Sequence, residues 1–437
     1  MFNKKNGDIE KLLEIENLNT YHLNLEKKFG AKDYHPLPVV LKKGEGVFLW
    51  DVNEKRYYDF LSAYSAVNQG HCHPKLVNLI KNQAETLTLT SRAFHNNKLG
   101  EYMAYATKLF GFDQILPMNT GAEGVETSIK LSRKWGYLKK NVDENQAKII
   151  VCNNNFHGRT TTVISFSTDP GSKDYFGPHT PGFIHIPHGD TIALEDELKK
   201  DKNVVAFLVE PIQGEAGVNV PDPDYLKKVR HLCSQYNVLM IADEIQTGLG
   251  RTGSLLASCG NCDCNSSCEQ QSSYVRPDIL ILAKALSGGT YPISAVLCDS
   301  DIMEVIQPGQ HGSTFGGNPF AASIAKKALE IIIEENLSQN ARALGLIFRE
   351  EMNKYISNSK IVSHVRGKGL LNAIVINDSP DSKTAWNICL KLRDNGLLAK
   401  PTRGNIIRFA PPLVMTEDQL HDCIGIITST LNEFEPK

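Results

Sequence analysis

From about Pro74 to Phe320 the chain alternates short, almost wholly apolar runs with longer amphipathic stretches, and a mainly parallel sheet covered by helices on both faces accommodates that pattern. KIIVCN, AFLVE, VLMIADE, DILILAK and SAVLCD read as strands, with SIKLSRKWGYLKK and PDYLKKVRHLCSQYN as helices between them. Runs without polar alternation predict strands buried on both sides. The expected fold class is α/β, with any site beyond the carboxyl ends of the strands.

Two charged residues that close such runs stand out. Asp243 ends VLMIAD, and Lys284 ends DILILAK just before the small, flexible segment ALSGG. A lone carboxylate or amine is costly at the end of a buried strand unless a partner holds it. An acid that keeps a pyridinium protonated and an amine that forms a Schiff base would serve pyridoxal phosphate chemistry. A structural Asp–Lys ion pair between strand ends would leave the same trace.

Flanking segments carry a different pattern. GVFLWDVNEKRYYDFLSAY alternates like a β-hairpin, with Asn53 to Lys55 at its turn. After Asn318 a long helical stretch through Ile356 leads to strands near VSHVRGKGLLNAIVI and IIRFAPPL and then to a final helix. The reading is an N-terminal segment, 1–70, a large domain, 71–325, and a C-terminal small α+β domain, 326–437, to which the N-terminal segment adds strands. No repeat or Pro/Ser-rich linker separates them, so the cleft between two closely packed domains is the expected site.

Composition excludes several partners. Net charge is −2, and no basic stripe interleaved with aromatics would attract nucleic acid. No run approaches the roughly eighteen apolar residues of a membrane span. Asp8, Glu10, Glu14, Glu16 and Glu26 do not fit an organellar transit peptide, so a cytoplasmic protein is expected, with a mitochondrial matrix enzyme lacking its presequence as the alternative.

Asn119, Thr120, Gly121 and Ala122 precede an amphipathic helix, where small residues and free N–H groups could seat a phosphate or simply cap the helix. Cys259, Cys262, Cys264 and Cys268 fall in the polar segment ASCGNCDCNSSCEQQSS, an insertion over about 257–273. It reads as a polar surface loop; a redox-sensitive loop and a metal site are the alternatives, and no metal is assigned because four thiols so close strain a tetrahedral site.

In order along the chain, NTGAEGVET, NNFHGRT, VEPIQGEAG, ADEIQTGLGRTG, AKALSGG, HGSTFGGNP and RGKGLL resemble the class III pyridoxal-phosphate aminotransferases of fold type I, from about Phe29 to the C-terminus. The resemblance implies a seven-stranded, mainly parallel sheet in the large domain, pyridoxal 5'-phosphate as cofactor, and a homodimer with composite active sites. It implies Lys284 as the covalent anchor and proton shuttle, and Asp243 as partner of the ring nitrogen. Gln246, one helical step on, would meet the ring hydroxyl and Phe156 would stack on the ring, although without the resemblance that position reads as a core Phe at a strand end. Gly121 and Ala122 would grip the phosphate, with Ser313 and Thr314 reaching it from the neighbouring subunit, unless HGSTFGGNP is only a glycine-rich turn. His157 departs from the aromatic that many relatives place there; it is expected either as a satisfied structural histidine or as a source of extra pH dependence.

YHPLPVVL, LSAYSAVNQGHCHPK, LTLTSRAF, RKWGY and LRDNGLLAKPT are most similar to members of the family that pass the δ-amine of L-ornithine to 2-oxoglutarate by a ping-pong mechanism. The products would be glutamate 5-semialdehyde, cyclising to pyrroline-5-carboxylate, and L-glutamate. That similarity implies Arg159 and Tyr34 at the α-carboxylate, Tyr64 at the α-ammonium, and Arg408 for 2-oxoglutarate, neutralised by Glu215 in the first half-reaction. N-acetylornithine or 4-aminobutyrate as donor, and more remotely a non-catalytic metal- or redox-responsive binding protein, are the other readings.

Overall fold

The computed structural model describes residues 18–259 and 275–436. Its centre is a seven-stranded sheet in the order Gln114–Met118, Ser294–Cys298, Ile279–Leu282, Leu239–Asp243, Val204–Val209, Lys148–Cys152, Phe183–Ile186. Ser294–Cys298 runs antiparallel to both its neighbours, and the remaining pairs are parallel. The five strands expected from sequence are all in it. Gln114–Met118 and Phe183–Ile186 complete it from the edges, where QILPM carries a proline and FIHI is broken by a histidine, so neither shows a continuous apolar run.

Successive side chains of a strand point to opposite faces, and each face has its own helical cover. Ile149 and Val151 pack with Val125, Ile129 and Trp135 of the helix Gly121–Leu138. Ile150 and Cys152 pack on the other side with Leu194, Leu198, Val229 and Leu232. Burial on both faces is the physical reason these strands lack alternation.

The hairpin at Asn53 to Lys55 joins Phe48–Asp51 to Arg56–Asp59, and Leu397–Leu398 from the far end of the chain pairs in parallel with Arg56–Asp59. A second four-stranded sheet contains Val362–Lys368, Leu371–Ile376, Ile406–Phe409 and Lys400–Arg403. The long helical stretch expected after Asn318 is made of two helices, Pro319–Glu334 and Leu337–Ile356. The break falls at Asn336, whose φ of 52° is left-handed, a conformation asparagine tolerates better than most residues.

Cys259 also departs from expectation. It is fully buried in the core rather than part of a polar loop. Cys262, Cys264 and Cys268 lie outside the described residues.

Candidate active site

Five strand ends converge on a cavity of about 540 Å³ lined by residues that include Asn119, Gly121, Phe156, Glu210, Asp243 and Lys284. The fold brings them together because parallel strands all release their chain at the same edge of the sheet. Asp243 is the last residue of Leu239–Asp243, and Lys284 opens a 3₁₀ turn two residues after Ile279–Leu282.

Burial drives the Lys284 pKa below the ordinary lysine value, although the carboxylates of Glu215 and Asp243 pull it upward. A neutral amine is the nucleophilic form. Asp243 is 4% exposed; its Oδ2 lies 2.6 Å from His157 Nδ1, and its Oδ1 accepts from the Ile245 N–H at 3.1 Å. Burial lowers the His157 pKa, but the hydrogen bond and charge of Asp243 outweigh it and the net shift is upward. The imidazole is therefore a side-chain partner of the carboxylate, while its Nε2 is buried without a partner among the described residues.

Glu210 carries the same sequence signal as Asp243. It closes AFLVE as Asp243 closes VLMIAD, and it lines the same cavity. Its Oε2 accepts from the Phe156 N–H at 3.1 Å. Burial raises its pKa to about 8 against the opposing pull of His157.

At the other wall, the helix Gly121–Leu138 begins on a capping box. Glu123 Oε2 accepts from the N–H groups of Thr120 at 2.7 Å and Asn119 at 3.0 Å. Gly121 and Ala122, in the first turn beside the cavity, have no intrahelical carbonyl for their amides. Such a turn suits an anion. Ser313 Oγ accepts from Asn119 Nδ2 at 2.8 Å, whereas Thr314 is exposed; neither lines the cavity within one chain.

Gln246 sits in a turn rather than on a helix. Its Nε2 donates to Glu215 Oε1 at 2.8 Å, and Glu215 Oε1 accepts from Arg408 Nη1 at 2.7 Å. Gly214 leaves room for this arrangement, since a Cβ at that position would stand 1.6 Å from Gln246 Oε1 and displace the amide. Arg408 is 1% exposed, and its guanidinium lies 5.2 Å from the centre of the Tyr64 ring. Burial would raise the Glu215 pKa, but Arg408, Lys284 and Gln246 together hold it below the usual value, so it stays a carboxylate. Burial and then Glu215 raise the pKa of Tyr64, with Tyr34 adding to that shift and Arg159 opposing it. Tyr34 and Arg159 are themselves exposed; Arg159 Nη1 meets Ser172 Oγ at 3.4 Å, and its guanidinium is 5.8 Å from the Phe156 ring centre.

An amine of depressed pKa facing a buried carboxylate, beside a helix N-terminus, defines an α/β enzyme fitted to pyridoxal 5'-phosphate. The donor set suits each part of that group: amine for carbonyl, carboxylate for pyridinium, helix amides for phosphate. Comparison with known proteins carries the assignment further. A family model described as Aminotransferase class-III matches residues 29–431. The mitochondrial ornithine aminotransferase of Drosophila melanogaster is 60% identical over 406 residues, covering 93% of this chain and 90% of the relative. The solved ornithine aminotransferase of Toxoplasma gondii superposes with a TM-score of 0.91 at 44% identity, covering 98% of each chain. A structure named acetylornithine aminotransferase, from Elizabethkingia anophelis, gives a TM-score of 0.85 at 57% identity, covering 95% of this chain and 99% of that one. The chain belongs to the class III aminotransferases and is a pyridoxal-phosphate-dependent transaminase.

Proposed function

We propose that the enzyme moves the δ-amine of L-ornithine to 2-oxoglutarate, giving glutamate 5-semialdehyde, which cyclises to pyrroline-5-carboxylate, and L-glutamate. The observation that carries this reading is the Glu215–Arg408 pair at 2.7 Å. With Arg408 neutralised, the reacting end of the site offers no free cation to an α-carboxylate, so a diamino acid enters distal amine first. When Glu215 moves away, the same guanidinium receives the α-carboxylate of 2-oxoglutarate, as a planar fork suits a carboxylate.

Pyridoxal 5'-phosphate, when bound, supplies the carbonyl that exchanges with amines and an electron sink. Lys284 holds it and afterwards takes and returns the proton of the amine-bearing substrate carbon. Asp243 would face the ring nitrogen, Phe156 and His157 would adjoin the ring, Gln246 would meet its hydroxyl, and Gly121 and Ala122 would hold its phosphate. Ser313 and Thr314 complete the phosphate site from a second copy in a homodimer; Thr314 is exposed in the single chain, which supports that reading. Tyr34 and Arg159 take the α-carboxylate of ornithine, and Tyr64 its α-ammonium. The pairing of Leu397–Leu398 with Arg56–Asp59 supports one small domain formed from 1–70 and 326–437. Among the described residues no helix is long and apolar enough to cross a membrane. A cytoplasmic location is our reading, whereas the Drosophila relative is named mitochondrial; cell fractionation separates the two.

A donor screen with 2-oxoglutarate as acceptor tests the reading. Preference for L-ornithine with pyrroline-5-carboxylate formed supports it, and preference for N-acetylornithine or 4-aminobutyrate overturns it.

A further inference from the structure

Ser62, Ala63, Tyr64 and Ser65 form a left-handed turn built without glycine, with φ of 48°, 46°, 62° and 72°. In this region the Cβ of each L-residue crowds the following carbonyl, so a run of four persists only where the surroundings over-determine it. Asp59, at the end of the strand Arg56–Asp59, supplies that determination. It is 3% exposed, and its Oδ1 accepts from the N–H groups of Leu61 at 2.8 Å and Ser62 at 2.9 Å. Its Oδ2 lies 2.7 Å from His71 Nε2.

His71 is held in its turn. Its backbone exchanges two hydrogen bonds with Gly46, at 2.8 and 3.0 Å, and Gly44 leaves room for its side chain, because a Cβ there would fall 2.9 Å from His71 Cβ. The left-handed turn then places Ala63 and Ala66 in the cavity wall, the Tyr64 ring 5.2 Å from the Arg408 guanidinium, and the Tyr64 carbonyl 3.5 Å from Gln246 Nε2.

We propose that Asp59 and His71 clamp this turn and so position Tyr64 for the amino donor, which makes His71 a positioning residue for donor selection that lines neither the cavity nor the Glu215–Arg408 pair. The proposal rests on the reading of Tyr64 as a donor contact. His71→Leu removes the donor to Asp59 Oδ2, and His71→Gln keeps an N–H near the same place.

The test uses the full-length, cofactor-loaded enzyme. His71→Leu is expected to speed amide exchange in residues 60–67 and to raise KM for L-ornithine about tenfold, with KM for 2-oxoglutarate changed less than about twofold. His71→Gln should recover most of both effects. In a Tyr64→Ala background, His71→Leu should add nothing to the donor KM, since residues acting through one another are not additive. Equal shifts in both KM values, an effect that persists without Tyr64, or unchanged exchange would each overturn the clamp. If wild type prefers a different donor, the proposed substrate fails, and the same cycle run on that donor decides the clamp separately. If His71→Leu does not fold, Asp59→Asn takes its place: Oδ1 still caps Leu61 and Ser62, while an amide replaces the oxygen facing His71.

Discussion

His157 Nδ1 stands 2.6 Å from Asp243 Oδ2, with both side chains buried at the end of the central strands. The residue that departs from the common aromatic thus binds the carboxylate assigned to the cofactor's ring nitrogen. His157→Phe keeps the ring's bulk and leaves Asp243 with only the Ile245 N–H among the partners described above. Breaking a buried pair costs about 3–5 kcal/mol. The folded pKa of His157 lies above its ordinary 6.5. Its stabilisation is therefore fully present below pH 6.5 and lost as pH rises through the folded value. Thermal melts should show the largest deficit of His157→Phe at pH 6 and a smaller one in alkali, and equilibrium dialysis should show weaker cofactor retention.

Glu210 gives the opposite dependence on partners. Its carboxyl titrates at about 8 in the fold against 4.5 ordinarily, so folding favours the protonated form. Stability from this group is complete below pH 4.5 and declines as pH rises to about 8. Glu210→Gln, which cannot ionise, should be more stable than wild type at pH 8 by roughly 1–3 kcal/mol and lose that advantage near pH 5. Denaturant melts at the two pH values measure it.

Glu215→Gln leaves the buried Arg408 without its counter-charge. Stability should fall by about 2–4 kcal/mol. The freed guanidinium should also admit α-carboxylates at the reacting end, so kcat/KM for ornithine relative to L-glutamate should fall about tenfold or more. Steady-state kinetics with both donors reads that ratio.

As the proposed cofactor anchor, Lys284 would react as the neutral amine. Because its pKa is depressed by burial, the rate of cofactor uptake by apo-protein should rise with pH and level off well below the ordinary lysine value of 10.5. Stopped-flow absorbance follows this, and Lys284→Ala should show no covalent uptake at any pH.

Gly345 sets helix propensity against packing. Alanine gains about 1 kcal/mol over glycine within a helix. Yet a Cβ at Gly345, inside Leu337–Ile356, would lie 1.9 Å from the Gly369 carbonyl oxygen, a backbone atom that cannot rotate away. The collision wins, and Gly345→Ala should lose at least about 2 kcal/mol in a denaturant titration.

The alternation of apolar runs and helices determined the parallel sheet, and the charges closing VLMIAD and DILILAK marked two members of the site before any contact was known. Those are local signals: a run buried on both faces must be apolar, and a charge at its end needs a partner. Tertiary structure decided who the partners are. Nothing in NNFHGRT says that His157 reaches Asp243, because the two are 86 residues apart and follow strands that are separated in the sheet by Val204–Val209. Glu215 and Arg408, 193 positions apart, likewise meet only when the C-terminal sheet docks on the large one. The left-handed turn at Ser62–Ser65 has no sequence sign either, since LSAYS lacks the glycine such a backbone ordinarily demands. Its conformation is imposed from outside, by Asp59 and His71, and strain that packing imposes leaves no local trace.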